Sequence, residues 1–229
     1  MDKIHQNLEN FFPGAKPYDQ VLDTCYEKMK KEWGMDPCKT IAAVSLCPDE
    51  LNNPVIEKIT TYFGSYFQLG GLTGYPFTGE TGFNAFGDHI PDRGAAFIFF
   101  GPHMGVDDHQ LGLVRRHGQK RETLSCGSAM GAYRSLTCGM DPSLFPATDF
   151  QQAQVRQMLA RKLDNIPELY PEPSVMNILI DESHSFIVRQ ARRIKEKFEA
   201  ETIFLLGAFI LNTPSSMPDF LQVKYLEMI

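Results

Sequence analysis

The chain has 229 residues, 43% of them hydrophobic and 22% charged, so it can bury a core of its own as a soluble globular protein. A net charge of −6 with a pI near 5.5 removes any general electrostatic reason to bind nucleic acid. No apolar run approaches the ~20 residues that span a bilayer, and the opening "MDKIHQNLENFFPGAKPYDQ" has neither the basic nor the apolar region of a secretory signal.

The spacing predicts a first helix over Asp2 to Phe12 and an amphipathic helix from Pro17 to Trp33, with Pro17 suited to its first turn. A short continuous apolar run, Ile41 to Leu46, reads as a strand covered on both faces and ended by Pro48. A helix follows from Asp49 to about Tyr62, its start delayed by Pro54 until after Asn53. The glycine-dense stretch from Gly64 to Gly94 predicts tight loops packed on a rigid body. Ala95 to Phe100 is a second buried strand, broken by "GPHMG". Helices are expected within "RETLSCGSAMGAYRSL", over Ala147 to Asn165 and over Ser174 to about Ala200. Glu201 to Leu211 then returns to a strand, and "DFLQVKYLEMI" adds an edge strand. With no repeat and no dividing linker, the expectation is one α/β domain over residues 1–229, residues 1–39 forming a helical N-terminal extension. In such folds, sites form beyond strand ends.

Several motifs reduce to ordinary structure. "GYPFTGET" matches a phosphate loop except that Glu80 stands where the lysine is needed, and a carboxylate there repels phosphate. Asp107, Asp108 and His109 offer metal ligands, but neighbouring acids point apart, and a solvated loop is expected. The basic run Arg115 to Glu122, with His117, has no interleaved aromatics for stacking bases and reads as a solvent-facing turn. His5 and His184 are expected in surface or capping roles.

Three other residues stand at element boundaries: Cys47 after the first strand, His103 after the second, and Cys126 at a helix start. The five cysteines form no Cys-x-x-Cys pair, which favours reduced thiols and leaves a subset free for metal. Thiolates and imidazole suit zinc, and three protein ligands leave a fourth position for water. A helix amino end also helps Cys126 ionise. Buried structural cysteines and a capping histidine account for the same residues equally well.

Cys47-Pro48-Asp49 resembles the first zinc motif of β-class carbonic anhydrases, although Leu51 stands where Cys-x-Asp-x-Arg has arginine and no His-x-x-Cys occurs. The ordered set "SLCPDE", "LGGLTGYPFTGETGFNAFGDHIPDRG", "FFGPHMG" and "SCGSAMGAY", with "TIFLLGAFILNTP" further on, is similar to the limiting-CO2-inducible B protein family, divergent β-like carbonic anhydrases related to the θ class. The resemblance covers most of Thr40 to Tyr133. It implies a β-carbonic-anhydrase-like sheet flanked by helices, with helical extensions. It also implies a homodimer and a chloroplast role in CO2 concentration, in a family where some members lack activity.

Carried residue by residue, the resemblance implies Cys47, His103 and Cys126 as ligands of Zn2+ and Asp49 as the carboxylate near the fourth position. Arg93 is the expected partner of Asp49, with Arg134 competing. The implied reaction is reversible hydration of carbon dioxide to bicarbonate and a proton, with zinc lowering the pKa of its bound water from 15.7 toward ~7. Carbon dioxide is small and uncharged, so an apolar pocket is expected, for which Phe77, Phe83 and Phe86 are candidates beside a plain packing role. His89 is a candidate proton shuttle. The alternatives are an inactive zinc-containing scaffold or CO2/bicarbonate-binding protein, and a hydrolase using Cys47 or Cys126 as nucleophile.

Overall fold

The computed structural model describes residues 3–229. In chain order the elements are α1 (Lys3–Phe11), β1 (Lys16–Pro17), α2 (Tyr18–Trp33), β2 (Thr40–Ser45), α3 (Asn53–Phe63), β3 (Phe67–Gln68), α4 (Gly79–Gly87), β4 (Ala95–Phe100) and β5 (His103–Gly105). They continue with β6 (Leu113–Val114), β7 (Thr123–Leu124), α5 (Gly127–Thr137), α6 (Phe150–Ala160), α7 (Glu172–Lys197), β8 (Thr202–Asn212) and β9 (Phe220–Met228). Asp2, the expected start of the first helix, lies outside the described residues.

A seven-stranded sheet runs β1-β9-β8-β4-β2-β3, with β5 continuing beside β8 after β4 ends. Strands β3, β2, β4, β8 and β5 are parallel, β9 runs antiparallel to β8, and β1 runs antiparallel to β9. The apolar runs are continuous because both faces are covered. Ala42, Val44, Phe97, Phe99, Phe204 and Leu206 point to the side of α2 and α3. Ala43, Ala96, Ile98, Phe100, Ile203 and Leu205 point to the other, where α7 and α4 pack. From α2, Val21, Leu22, Cys25 and Met29 join the first of these layers.

Three local expectations differ from the structure. Pro17 immediately precedes α2 rather than lying in its first turn, at φ −47° and ψ 135°. The expected edge strand β9 has its outer side paired over Phe220 and Leu221 by β1. The glycine-dense stretch contains a nine-residue helix, α4, because Phe83 and Phe86, one turn apart, are fully buried and Gly87 lets the Phe198 ring lie against the backbone.

One glycine holds the loop that passes the end of β2. Gly74 has φ +79°, its carbonyl accepts from Ser45 Oγ at 2.9 Å, and a Cβ there would stand 2.2 Å from the Gly101 carbonyl oxygen. Left-handed backbone and overpacking add, so Gly74→Ala is expected to cost about 2–4 kcal/mol. Urea denaturation of the metal-free protein measures it, and a change under ~0.5 kcal/mol would contradict this account.

Candidate metal centre

The parallel strands end together, and the chemistry collects at their carboxyl ends. Cys47 lies two residues beyond β2, His103 opens β5 just past β4, Asn212 ends β8, and Cys126 is the residue capping α5. Each is pinned by backbone contacts. Asn52 Nδ2 donates to the Cys47 carbonyl at 3.0 Å. The Ser125 carbonyl accepts from Gly105 N–H at 2.8 Å, and Ser125 N–H donates to Gly112 at 3.0 Å, which fixes Cys126 beside β5.

Cys47 Sγ, one His103 ring nitrogen and Cys126 Sγ all lie within 4.8 Å of one another, and all three residues are buried. The two sulfurs are 3.9 Å apart. Sulfurs about 2.3 Å from a common tetrahedral zinc stand about 3.8 Å apart, so the pair has the span zinc requires. His103 Nδ1 meets Asn212 Oδ1 at 2.8 Å, while Nε2 is buried with no hydrogen-bond partner. A buried, unpartnered ring nitrogen beside two sulfurs is a donor set that could hold a metal ion, and these residues fit zinc.

The metal-free sulfurs share a proton unequally. Contact with the Cys126 sulfur, with burial adding, pushes the Cys47 thiol far up. The same contact, aided by the N–H groups of Ser128 and Ala129 at the start of α5, holds Cys126 below the ordinary thiol value despite its burial. Burial pushes His103 down, but the Cys47 sulfur, Asn212 and Asp49 outweigh it, and its pKa is raised.

Asp49 stands beside this set, with Oδ2 at 3.8 Å from His103 Nε2. Its Oδ1 accepts from Leu51 N–H at 3.1 Å, and its Oδ2 from an Arg116 terminal nitrogen at 2.7 Å. Arg116 also binds Glu50 through Nε at 2.9 Å, so one guanidinium spans neighbouring acids. Burial pushes Asp49 up, yet the His103 charge, the Leu51 N–H and Arg116 together hold it below the usual carboxylate value. A cleft of about 570 Å³ opens here, lined by Glu50, Leu51, Pro54, Arg116 and His117 among others.

The structure thus brings Cys47, Asp49, His103 and Cys126 together; it also draws Asp107, Asp108 and His109 to within 4.8 Å of one another, where the acids were expected to point apart, and it separates the remaining candidates. Arg93 is exposed at the start of β4, about 20 Å from the carboxyl end of that six-residue strand. It cannot reach Asp49; Arg116, from the basic run expected to be a solvent-facing turn, takes that place. Arg134 is exposed near the end of α5. His89 is exposed on the connection between α4 and β4, its ring edge-on to Phe67 at 5.6 Å. Phe83 and Phe86 are fully buried against Phe186 and Phe67, and Phe77 packs on Tyr75 and Phe150, so aromatic packing occupies the rings expected to line a pocket. His184, expected in a surface or capping role, is half-buried, stacked on Tyr225 at 3.7 Å and bonded to Glu227 at 3.1 Å.

Arg116 left one weak trace in the sequence: it follows β6 and precedes β7 in a short antiparallel turn, and the run carries Glu122 to pair with Arg115. Asn212 left none beyond its place at a strand end.

The family model for limiting CO2-inducible proteins B/C, beta carbonic anhydrases, matches residues 15–229. No curated protein matches the chain. Among solved structures, PtLCIB4, described as a homolog of the limiting CO2-inducible protein LCIB, is similar at a TM-score of 0.86 and 28% identity, over 98% of this chain and 94% of that one. A point mutant of PtLCIB4 gives 0.88 and 27%, over 99% and 94%. LCIB itself gives 0.73 and 18%, over 98% and 94%, a likeness of fold. No helix among the described residues is long and apolar enough to cross a membrane. The chain belongs to the limiting CO2-inducible B/C family of β carbonic anhydrases.

Proposed function

We propose that this chain is a zinc carbonic anhydrase catalysing the reversible hydration of carbon dioxide to bicarbonate and a proton, with Cys47, His103 and Cys126 holding the ion. The observation that carries the reading is the buried, unpartnered His103 Nε2 beside two sulfurs 3.9 Å apart. Zinc bound there supplies Lewis acidity that lets water ionise near neutral pH.

The protein's own groups do the rest. Asp49 is ionised, and each of its oxygens already accepts one bond. The second lone pair of Oδ2 is free to accept from the attacking water and so to aim it. Arg116 is a positioning residue: its grip on Oδ2 keeps the carboxylate from swinging into the fourth ligand position. The cleft beside Arg116 gives the released proton a polar way out. A homodimer and a chloroplast setting belong to the same reading through the family likeness.

An inactive zinc scaffold has one observation in its favour, the 3.8 Å between Asp49 Oδ2 and His103 Nε2, which a short movement would close to ligand spacing. The cysteine-nucleophile reading is disfavoured because contact with Cys126 and burial keep Cys47 a thiol, and Cys126, though more acidic, is buried away from any substrate.

Zinc per chain and carbon dioxide hydration, measured on protein purified with reductant and without chelator, test the proposal. About one zinc per chain is expected, with hydration lost on stripping and restored on reloading. Zinc without hydration at neutral and alkaline pH would establish the scaffold. Absence of zinc would sink both zinc readings.

A further inference from the structure

We propose that Asp219 and Asn212 form a positioning relay that sets which ring nitrogen of His103 faces the cysteines. The inference deepens the zinc reading and rests on it for the effect on metal affinity; the choice of tautomer stands on hydrogen bonding alone.

Asn212 is fully buried at the last position of β8. Its two amide atoms face chemically opposite surroundings. Nδ2 points at two acceptors, the Asp219 carboxylate at 3.1 Å and the Leu51 carbonyl at 3.3 Å. Oδ1 points at His103 Nδ1 at 2.8 Å and Ser125 Oγ at 3.2 Å. The reversed amide would set its carbonyl against a carboxylate and a second carbonyl, leaving three buried acceptors facing one another with no donor between them.

The consequences run in one direction. Asp219 is itself fixed, because Oδ1 accepts from Thr213 N–H at 2.9 Å. As an acceptor it claims the Asn212 NH2 and so turns Oδ1 towards the imidazole. An amide oxygen can only accept, so His103 must carry its proton on Nδ1, and the lone pair stays on Nε2, the unpartnered atom. The Leu51 carbonyl that receives Asn212 belongs to the residue whose N–H binds Asp49. One buried asparagine therefore braces the imidazole against the segment carrying Asp49. Asp219, which touches none of the three ligands, selects the tautomer from two hydrogen bonds away.

The test reads the ring directly. Nitrogen-15 correlation spectra of the metal-free protein at alkaline pH should show wild-type His103 protonated on Nδ1 alone. Asp219→Asn can offer either end of its amide to Asn212, and is expected to give a mixture of tautomers. Its zinc affinity, by chelator competition, should fall about 10- to 100-fold, as should that of Asn212→Leu. A wild-type ring protonated on Nε2 would overturn the proposal, as would Asp219→Asn with an unchanged ring spectrum and affinity within ~2-fold of wild type. A merely structural role would lower unfolding temperature without moving the tautomer. Should a variant fail to fold, the wild-type spectrum still decides. If wild-type protein takes up no zinc, the functional reading falls while the spectrum continues to judge the relay.

Discussion

Arg116→Ala is expected to lower carbon dioxide hydration about 100-fold while leaving zinc per chain unchanged. Asp49 and Arg116 are both mostly enclosed, with side chains 15% and 17% exposed, and their bond is 2.7 Å. Removing one member of an enclosed charge pair leaves the other uncompensated, at a cost of about 3–5 kcal/mol when burial is complete. Residual exposure and the remaining bond from Leu51 reduce this; a preference of about 3 kcal/mol for the displaced carboxylate over the aligned one would leave roughly one site in a hundred competent, about two decades in rate. The freed carboxylate would lie 3.8 Å from His103 Nε2, where it could take the place of water on a metal held by Cys47, His103 and Cys126. Arg116→Lys should recover little, because an ammonium cannot span Asp49 and Glu50 as the guanidinium does. The paired control is Arg93→Ala, expected to stay within ~2-fold of wild type because it lies at the opposite end of the strands. Near-normal hydration by Arg116→Ala would remove the arginine from the mechanism. Loss of zinc together with activity would show that it supports the site rather than Asp49.

The arginine that pairs with Asp49 is less legible in the sequence than the candidate ligands beside it. The candidate ligands stand out by side-chain type at element ends, and the family resemblance joins them into one set: Cys47 and His103 follow continuous apolar strands, and Cys126 precedes a helix. Those boundaries are local, readable from periodicity and from the breaks at Pro48 and Pro102. A partner for Asp49 is set by tertiary folding. The choice between Arg93, Arg116 and Arg134 depends on which loop folds over the carboxyl end of β2, and neither charge pattern nor spacing encodes that. The basic run was legible as a turn, and β6 and β7 do form one. Its inward reach to Asp49, across 67 positions of chain, was not.

The same division separates the helices. α2 and α7 carry strong polar-and-apolar alternation and are readable, whereas α4 is masked by three glycines in nine residues. Glycine lowers intrinsic helicity, yet tertiary packing of Phe83 and Phe86 overrides it. Those phenylalanines also show how an apolar expectation is redirected. They are drawn into the layer between sheet and α7 instead of standing open for substrate. The relay through Asn212 was hidden for a related reason, since an asparagine at a strand end reads as a turn former until its amide is seen between a carboxylate and an imidazole.

Zinc affinity should rise with pH by at least about one decade per unit, and more steeply on the acid side of the His103 transition than above it. The sign follows from proton counts. Zinc takes thiolates and a neutral imidazole, so the metal-free site binds more protons than the loaded one, and acid favours release. Cys126 is held below the ordinary thiol value by its contact with Cys47 and by the N–H groups of Ser128 and Ala129, so it holds its proton less tightly than Cys47 does. Cys47 is raised by Cys126 and by burial, and gives up one on binding across the whole range. His103 is raised by the Cys47 sulfur, Asn212 and Asp49 against its burial, and adds another until pH passes its pKa. Two unperturbed thiols would instead release two protons at neutral pH and leave the histidine silent. Chelator competition across neutral pH, with calorimetry in buffers of different ionisation enthalpy, separates the cases by counting released protons. On alkaline titration of the metal-free protein, thiolate absorbance should rise from Cys126 before Cys47, and that earlier phase should be lost in Cys126→Ser. A slope well under one decade per unit, or two site thiols that ionise together, would contradict the unequal sharing on which this expectation stands.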